Sequence, residues 1–104
     1  MTHRVVFAPE AVDDLRGLYD LIADASLPER ALAYVEGLRR YCIGLAEFPK
    51  RGTRRDAIRP GLRIIGYRRR VTVAFQATGT TVIILRLLYG GRDSESWRGQ
   101  DDAD

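Results

Sequence analysis

The sequence predicts an α+β domain of order β-α-α-β-β-β, with a helical hairpin packed on one face of a mostly antiparallel sheet. Three observations predict it. Apolar residues recur at helical spacing through 11–22 and again through 31–45, which is the mark of amphipathic helices. From Leu62 to Tyr89 the pattern changes to alternating or continuous β-branched runs split by turn residues, which is the mark of strands. The run Val82-Ile83-Ile84-Leu85 is apolar without a break, as expected of a strand covered on both faces.

Each element has its own local reason. His3 to Phe7 reads as a short strand that returns beside the C-terminal sheet. Ala8-Pro9-Glu10 then starts a helix, because proline suits the first turn and Glu10 meets the positive end of the helix dipole. Val12, Leu15, Tyr19 and Ile22 form its apolar stripe, widened by Ala11 and Leu18. Asp13, Asp14, Arg16, Asp20 and Asp24 fill the other side, with the adjacent Asp13 and Asp14 read as solvated surface. Ser26-Leu27-Pro28-Glu29 has the form of a capping box, with serine as N-cap and glutamate at N3. The second helix carries Ala31, Val35, Leu38, Cys42 and Leu45 on one stripe, flanked by Tyr34 and Tyr41, and stops before Phe48-Pro49. Lys50 to Pro60 reads as a charged loop. Three strands follow, Leu62–Tyr67, Arg70–Ala77 and Thr80–Tyr89, joined by Gly66-Tyr67-Arg68-Arg69 and by the two-residue loop Thr78-Gly79. In the middle strand Val71, Val73 and Phe75 share one face, while Thr72, Ala74 and Gln76 share the other. Gly90-Gly91 ends the last strand. Residues 1–97 form one domain, and 98–104 form an acidic tail expected to be mobile.

At 104 residues, with 45% hydrophobic and 30% charged side chains, the chain has the composition of a single small globular domain. One cysteine excludes an internal disulfide and a cysteine metal cluster, and Cys42 falls on a helix core position. No stretch approaches a membrane span and no leader pattern opens the chain, so a cytoplasmic location is expected. The net charge of +3 conceals a segregation. Residues 1–49 carry 5 basic and 8 acidic side chains, residues 50–92 carry 11 and 1, and residues 93–104 carry 1 and 5. Such a polarised field points to acidic protein or nucleic acid as partner.

The usual catalytic sets are missing. The single histidine, His3, stands near the start of the chain, which removes a Ser-His-Asp arrangement and a histidine metal site. Gly90-Gly91 is followed by no Gly-Lys-Ser/Thr and is not a phosphate loop. No metal or cofactor is expected. The remaining chemistry lies in Arg54, Arg55, Arg59, Arg63, Arg68, Arg69, Arg70, Arg86 and Arg92, read either as a solvated rim with internal salt bridges or as contacts to a partner. Arg86 lies between Leu85 and Leu87 in an apolar strand. It must find a carboxylate or carbonyls within the fold, or meet a partner's carboxylate on the open sheet face. Tyr89, Arg92 and Trp97 form a second cluster at the end of the last strand, suited to base stacking or to a protein hot spot, with Trp97 alternatively a lid on the core.

Several of these segments together resemble the RelE/ParE toxin superfamily, on the ParE side. They are the Pro-Glu-Ala helix start, Phe48-Pro49 followed by Gly52, Arg59-Pro60-Gly61-Leu62-Arg63, and Ile84-Leu85-Arg86-Leu87-Leu88-Tyr89-Gly90-Gly91-Arg92-Asp93. The likeness runs from His3 to Trp97. It implies the same β-α-α-β-β-β fold and a toxin of a type II toxin–antitoxin system. The partner implied is a ParD-like antitoxin that wraps the helices and sheet in a heterotetramer or larger complex, with DNA reached only through the antitoxin. DNA gyrase is the implied target, inhibited by protein–protein contact rather than by catalysis. The residues carried into antitoxin binding are Val12, Leu15, Tyr19, Tyr34, Arg63, Arg70 and Arg86, and those into target binding are Tyr89, Arg92 and Trp97. The alternative is a RelE-like, ribosome-dependent endoribonuclease that uses Arg63, Arg70, Tyr89 and Arg92. In that branch the middle strand carries an arginine and the terminus a tyrosine. Here those positions fall at Thr72 and Trp97, so only Arg63 and Arg92 match.

Overall fold

The computed structural model describes residues 3–89. The elements are β1 (Arg4–Phe7), α1 (Pro9–Ala25), α2 (Pro28–Ile43), a 3-10 turn (Gly44–Ala46), β2 (Thr53–Arg54), β3 (Leu62–Tyr67), β4 (Val71–Thr78) and β5 (Thr81–Tyr89). They form one five-stranded sheet of order β1-β5-β4-β3-β2. The sheet is mixed. β1 runs parallel to β5, with Arg4 beside Thr81 and Phe7 beside Ile84, and the other three pairings are antiparallel. The two-residue β2 lies inside the segment read as a plain loop. It is too short to show a period-2 pattern, and its place is set by pairing Thr53 with Ile64 and Arg54 with Arg63.

The helices cover one sheet face as expected. Ala11, Leu18, Leu38, Cys42 and Leu45 are buried against Val71, Val73, Phe75, Val82, Ile84 and Leu87. The centre of the α1 stripe differs from the reading. Ala11 and Leu18 are its buried axis, and Val12 and Tyr19 are half-buried flanks. A smaller cluster of Leu62, Ile64 and Ala74, with Ile58 and Leu85 packed against it, occupies the opposite face. The strand enclosed on both sides is therefore β4, where Val71 to Phe75 are all buried. In β5 only Val82 and Ile84 of the apolar run are buried, and Ile83 and Leu85 are half-buried. The reason is position: β4 is third of five in the sheet.

Three local expectations shift by one residue or more. Pro28 is the first helical residue of α2, so the N-cap is Leu27, without a side-chain cap. Ser26 instead ends α1 and receives Arg30 Nη1 at 3.5 Å. Proline's preference for the first helical position outweighs the serine signal. The β4–β5 loop is Gly79-Thr80, with Thr78 opposite Thr81 and Gly79 at φ +54. The β3–β4 connection is Arg68-Arg69-Arg70. Tyr67 pairs with Val71, and the Arg70 N–H donates to the Tyr67 carbonyl at 3.2 Å. Arg68 and Arg69 have φ of 50 and 62, the left-handed pair of a type I′ turn.

Left-handed backbone costs an ordinary residue about 1–2 kcal/mol, and Asn-Gly is the pair that fits such a turn. Arg68 recovers part of this by placing its guanidinium 5.4 Å from the Tyr67 ring centroid. The double substitution Arg68→Asn/Arg69→Gly is expected to stabilise the fold by about 1 kcal/mol, a rise in Tm on the order of 5 °C in thermal denaturation.

Candidate partner-binding surfaces

The join between helix and sheet decides which arginines are available to a partner. β1 ends where the Ala8 N–H donates to the Ile84 carbonyl at 2.9 Å. Beyond that point β1 no longer pairs with β5, and the register of β5 against β4 also slips. Phe75 pairs with Ile84, but Ala74 pairs with Arg86, leaving Leu85 as the extra residue of a bulge. Asp14 of α1 takes over this edge. Its Oδ2 accepts the Leu87 N–H at 2.8 Å and Arg86 Nε at 2.8 Å, and its Oδ1 accepts Arg86 Nη2 at 3.1 Å. The Asp14 side chain is only 14% exposed and that of Arg86 30%. Asp14 is thus not solvated surface like the exposed Asp13. Of the two roles open to Arg86, the structure shows the internal one.

A second group lies where α2 crosses the end of β3. The Tyr34 and Tyr67 rings meet edge to face at 5.6 Å, and Tyr41 and Tyr67 meet at 5.0 Å. Gly37 makes this possible, because a Cβ there would collide with the Tyr67 hydroxyl. Tyr41 Oη donates to the Gly66 carbonyl at 3.2 Å, on a stretch of β3 that the short β2 does not reach. The Tyr34 hydroxyl is enclosed without a hydrogen-bond partner. Burial and then Tyr67 push its pKa up, while Arg70 and Arg68 pull it down. Beyond the tyrosines, Arg68, Arg69 and Arg70 are exposed.

The other expected site residues scatter. Tyr89 is half-buried at the end of β5, packed on the main core and over Gly17, where a Cβ would strike its hydroxyl. Leu15 and Tyr34 also pack on that core. Arg63 is half-buried and donates to the Lys50 carbonyl at 3.1 Å. Tyr89 lies opposite Val71, so Arg70 and Tyr89 share one end of the sheet. Arg63 stands four residues back from Tyr67, roughly 13 Å along the strand, so the ribonuclease set is not gathered at one point. Thr72 is buried, at 7% exposure. Arg92, Trp97 and the acidic tail lie outside the described residues.

Sequence reasoning missed two features. Leu21, Leu27 and Leu32, exposed by 54%, 49% and 55%, sit at the end of α1, in the inter-helix link and at the start of α2. Leu21 and Leu32 break the polar sides of their helices, and that was the available signal. Phe48, at 62% exposure, lies under the Arg51 guanidinium at 5.1 Å and lines a shallow cleft with Glu47, Pro49 and Lys50. Elsewhere, Asp56 ties the loop before β3. It accepts the Gly61 N–H at 2.9 Å and pairs with Arg54 at 2.8 Å. The Gly61 hydrogen bond leads in holding its carboxyl below the usual aspartate range, with Arg54 adding to the effect. Burial pushes the Cys42 thiol up to about 12, which leaves it unreactive at neutral pH. Among the described residues no cluster of His, Cys, Asp and Glu could hold a metal ion, and no helix is long and apolar enough to cross a membrane.

Replacing Asp14 by Asn removes the charge and one of the two acceptor oxygens that serve its three hydrogen bonds. The substitution is expected to cost about 2 kcal/mol, read as an earlier midpoint in urea unfolding.

Comparison with known proteins bears on these surfaces. Residues 5–94 match the family described as the ParE toxin of the type II toxin–antitoxin system parDE. A chain of the chromosomal ParDE toxin–antitoxin system from P. aeruginosa superposes with a TM-score of 0.74 at 25% identity, covering 85% of this chain and 96% of that one. No curated protein sequence matches.

Proposed function

The chain belongs to the family of ParE toxins of type II toxin–antitoxin systems, and from that membership we propose that it poisons DNA gyrase by protein–protein contact and is neutralised by a ParD-type antitoxin. The observation that carries the reading is the family match across 5–94. The endoribonuclease alternative is not favoured. Arg63 is held by the Lys50 carbonyl at one end of the sheet, and a buried threonine occupies position 72.

Exposure supports a choice of antitoxin surface. A neutralising segment needs apolar anchors, and Leu21, Leu27 and Leu32 supply them at the turn of the helical hairpin. Val12 and Tyr19 extend this surface along α1. Arg63 offers charge to acidic residues of the segment, whereas Arg70 stands apart with Arg68 and Arg69 at the β3–β4 turn. Leu15 and Tyr34 contribute mainly by shaping the helices from within, and Arg86 by fixing α1 through Asp14. The complex is proposed as a heterotetramer or larger. Target contact is assigned to the end of β5 at Tyr89 with Arg92 and Trp97 beyond it.

Purified gyrase relaxing or supercoiling plasmid provides the test. The free toxin is expected to block supercoiling and trap cleaved DNA, with relief on adding antitoxin. A folded, antitoxin-binding toxin that leaves supercoiling untouched removes gyrase as the target. The double substitution Leu21→Asp/Leu32→Asp is expected to weaken antitoxin binding about thirtyfold or more in calorimetry, the loss of one hot spot of about 2 kcal/mol. An unchanged dissociation constant places the antitoxin elsewhere.

A further inference from the structure

We propose that the Arg68-Arg69-Arg70 turn is a docking site for the phosphodiester backbone of nucleic acid. This goes beyond the toxin–antitoxin reading and stands on the turn alone. The three side chains are exposed and consecutive at the sheet end. Among the described residues no ion pair to a carboxylate is seen for them, whereas Arg54 pairs with Asp56 and Arg86 with Asp14. The charge is felt inside the protein, where Arg70 and Arg68 pull on the Tyr34 hydroxyl against its burial.

The residue choice runs against local stability. Two of the three positions have left-handed backbone, φ 50 and 62, where Asn or Gly fits without strain. Strained positions of this kind are typical of working sites, and here they carry guanidinium forks that suit phosphate oxygens. Three adjacent forks can reach about two or three phosphates of one strand, which repeat every 3.4 Å of rise.

The surroundings favour a polyanion backbone over an acidic peptide. Peptide docking draws its affinity from apolar anchors. All large exposed apolar side chains among the described residues are Val6, Leu21, Leu27, Leu32, Ile43 and Phe48, so none comes from β3, β4 or their turn. Tyr67 beneath the turn is 8% exposed and covered by Arg68. A site of charge without apolar contact binds through counterion release, which a phosphodiester polymer supplies.

The test is fluorescence anisotropy of a labelled duplex of arbitrary sequence, about 20 base pairs, titrated with the full-length toxin without antitoxin between about 50 and 200 mM salt. Wild type is expected to bind with log K falling against log salt at a slope of about 2 to 3. Arg68→Asn/Arg69→Gly/Arg70→Gln is expected to lose at least about tenfold in affinity at the lowest salt and about 2 in slope. A charge-matched variant, Arg16→Gln/Arg51→Gln/Arg59→Gln, should keep most of the binding. Thermal melting shows whether the turn variant is folded, and it should melt no lower than wild type. The proposal is overturned if wild type does not bind, if the two variants lose affinity equally, or if a short poly-glutamate competes as well as the duplex at equal charge. The last result makes the turn a carboxylate reader. Because the mixture contains neither antitoxin nor gyrase, failure here leaves the toxin reading standing, and success does not depend on it.

Discussion

The rest of the structure depends on one carboxylate. Asp14 joins α1 to the edge of β5 that β1 leaves uncovered, with three hydrogen bonds reaching Arg86 and the Leu87 amide. A β-bulge at Leu85 turns the strand at this point, and a bulged edge needs a partner for the amide it exposes. An aspartate of the first helix supplies that partner, and the arginine beside the bulge holds the aspartate in place. The pair is only partly exposed, so its net contribution exceeds that of a surface ion pair. It clasps α1 to the sheet at the edge where the core packing between helices and sheet ends in polar contacts.

That lock divides the basic residues by role. Arg86 and Arg54 have carboxylate partners within the fold. Arg63 is bonded to a backbone carbonyl, and Arg51 lies over Phe48. Three further exposed arginines stand consecutively at the β3–β4 turn. Exposed apolar surface lies at the helical turn and around Phe48. The exposed arginine turn and the large exposed apolar side chains thus lie on different elements. The tyrosines of α2 and β3 tie helix to sheet, since Gly37 lets Tyr67 in and Tyr41 donates to the carbonyl of Gly66.

Much of this was legible in the sequence, for physical reasons. The helices announced themselves because Ala11, Leu18, Leu38 and Cys42 keep a helical period, and all four are buried. The face of β4 bearing Val71, Val73 and Phe75 followed from strict alternation. What could not be read were events that depend on chain crossings. The two residues of β2 have no pattern of their own. The bulge in β5 has no local signature, and without it Arg86 could not be placed. Asp14 looked like any acidic residue on a helix flank, because its partners are 72 and 73 positions away. The capping serine misled because proline competes for the same turn. The exposed leucines near the helical turn were visible as breaks in the polar pattern, but only the folded helices show that each is about half exposed.

The most direct test of this account is a double-mutant cycle on Asp14→Asn and Arg86→Gln, reading both unfolding free energy and antitoxin affinity. The account predicts that the two changes couple in stability by about 1–2 kcal/mol, and that each folded variant still binds antitoxin within a few-fold of wild type. Additive effects on stability, with antitoxin binding lost on Arg86→Gln alone, would contradict it and make Arg86 a partner contact rather than the clasp between helix and sheet.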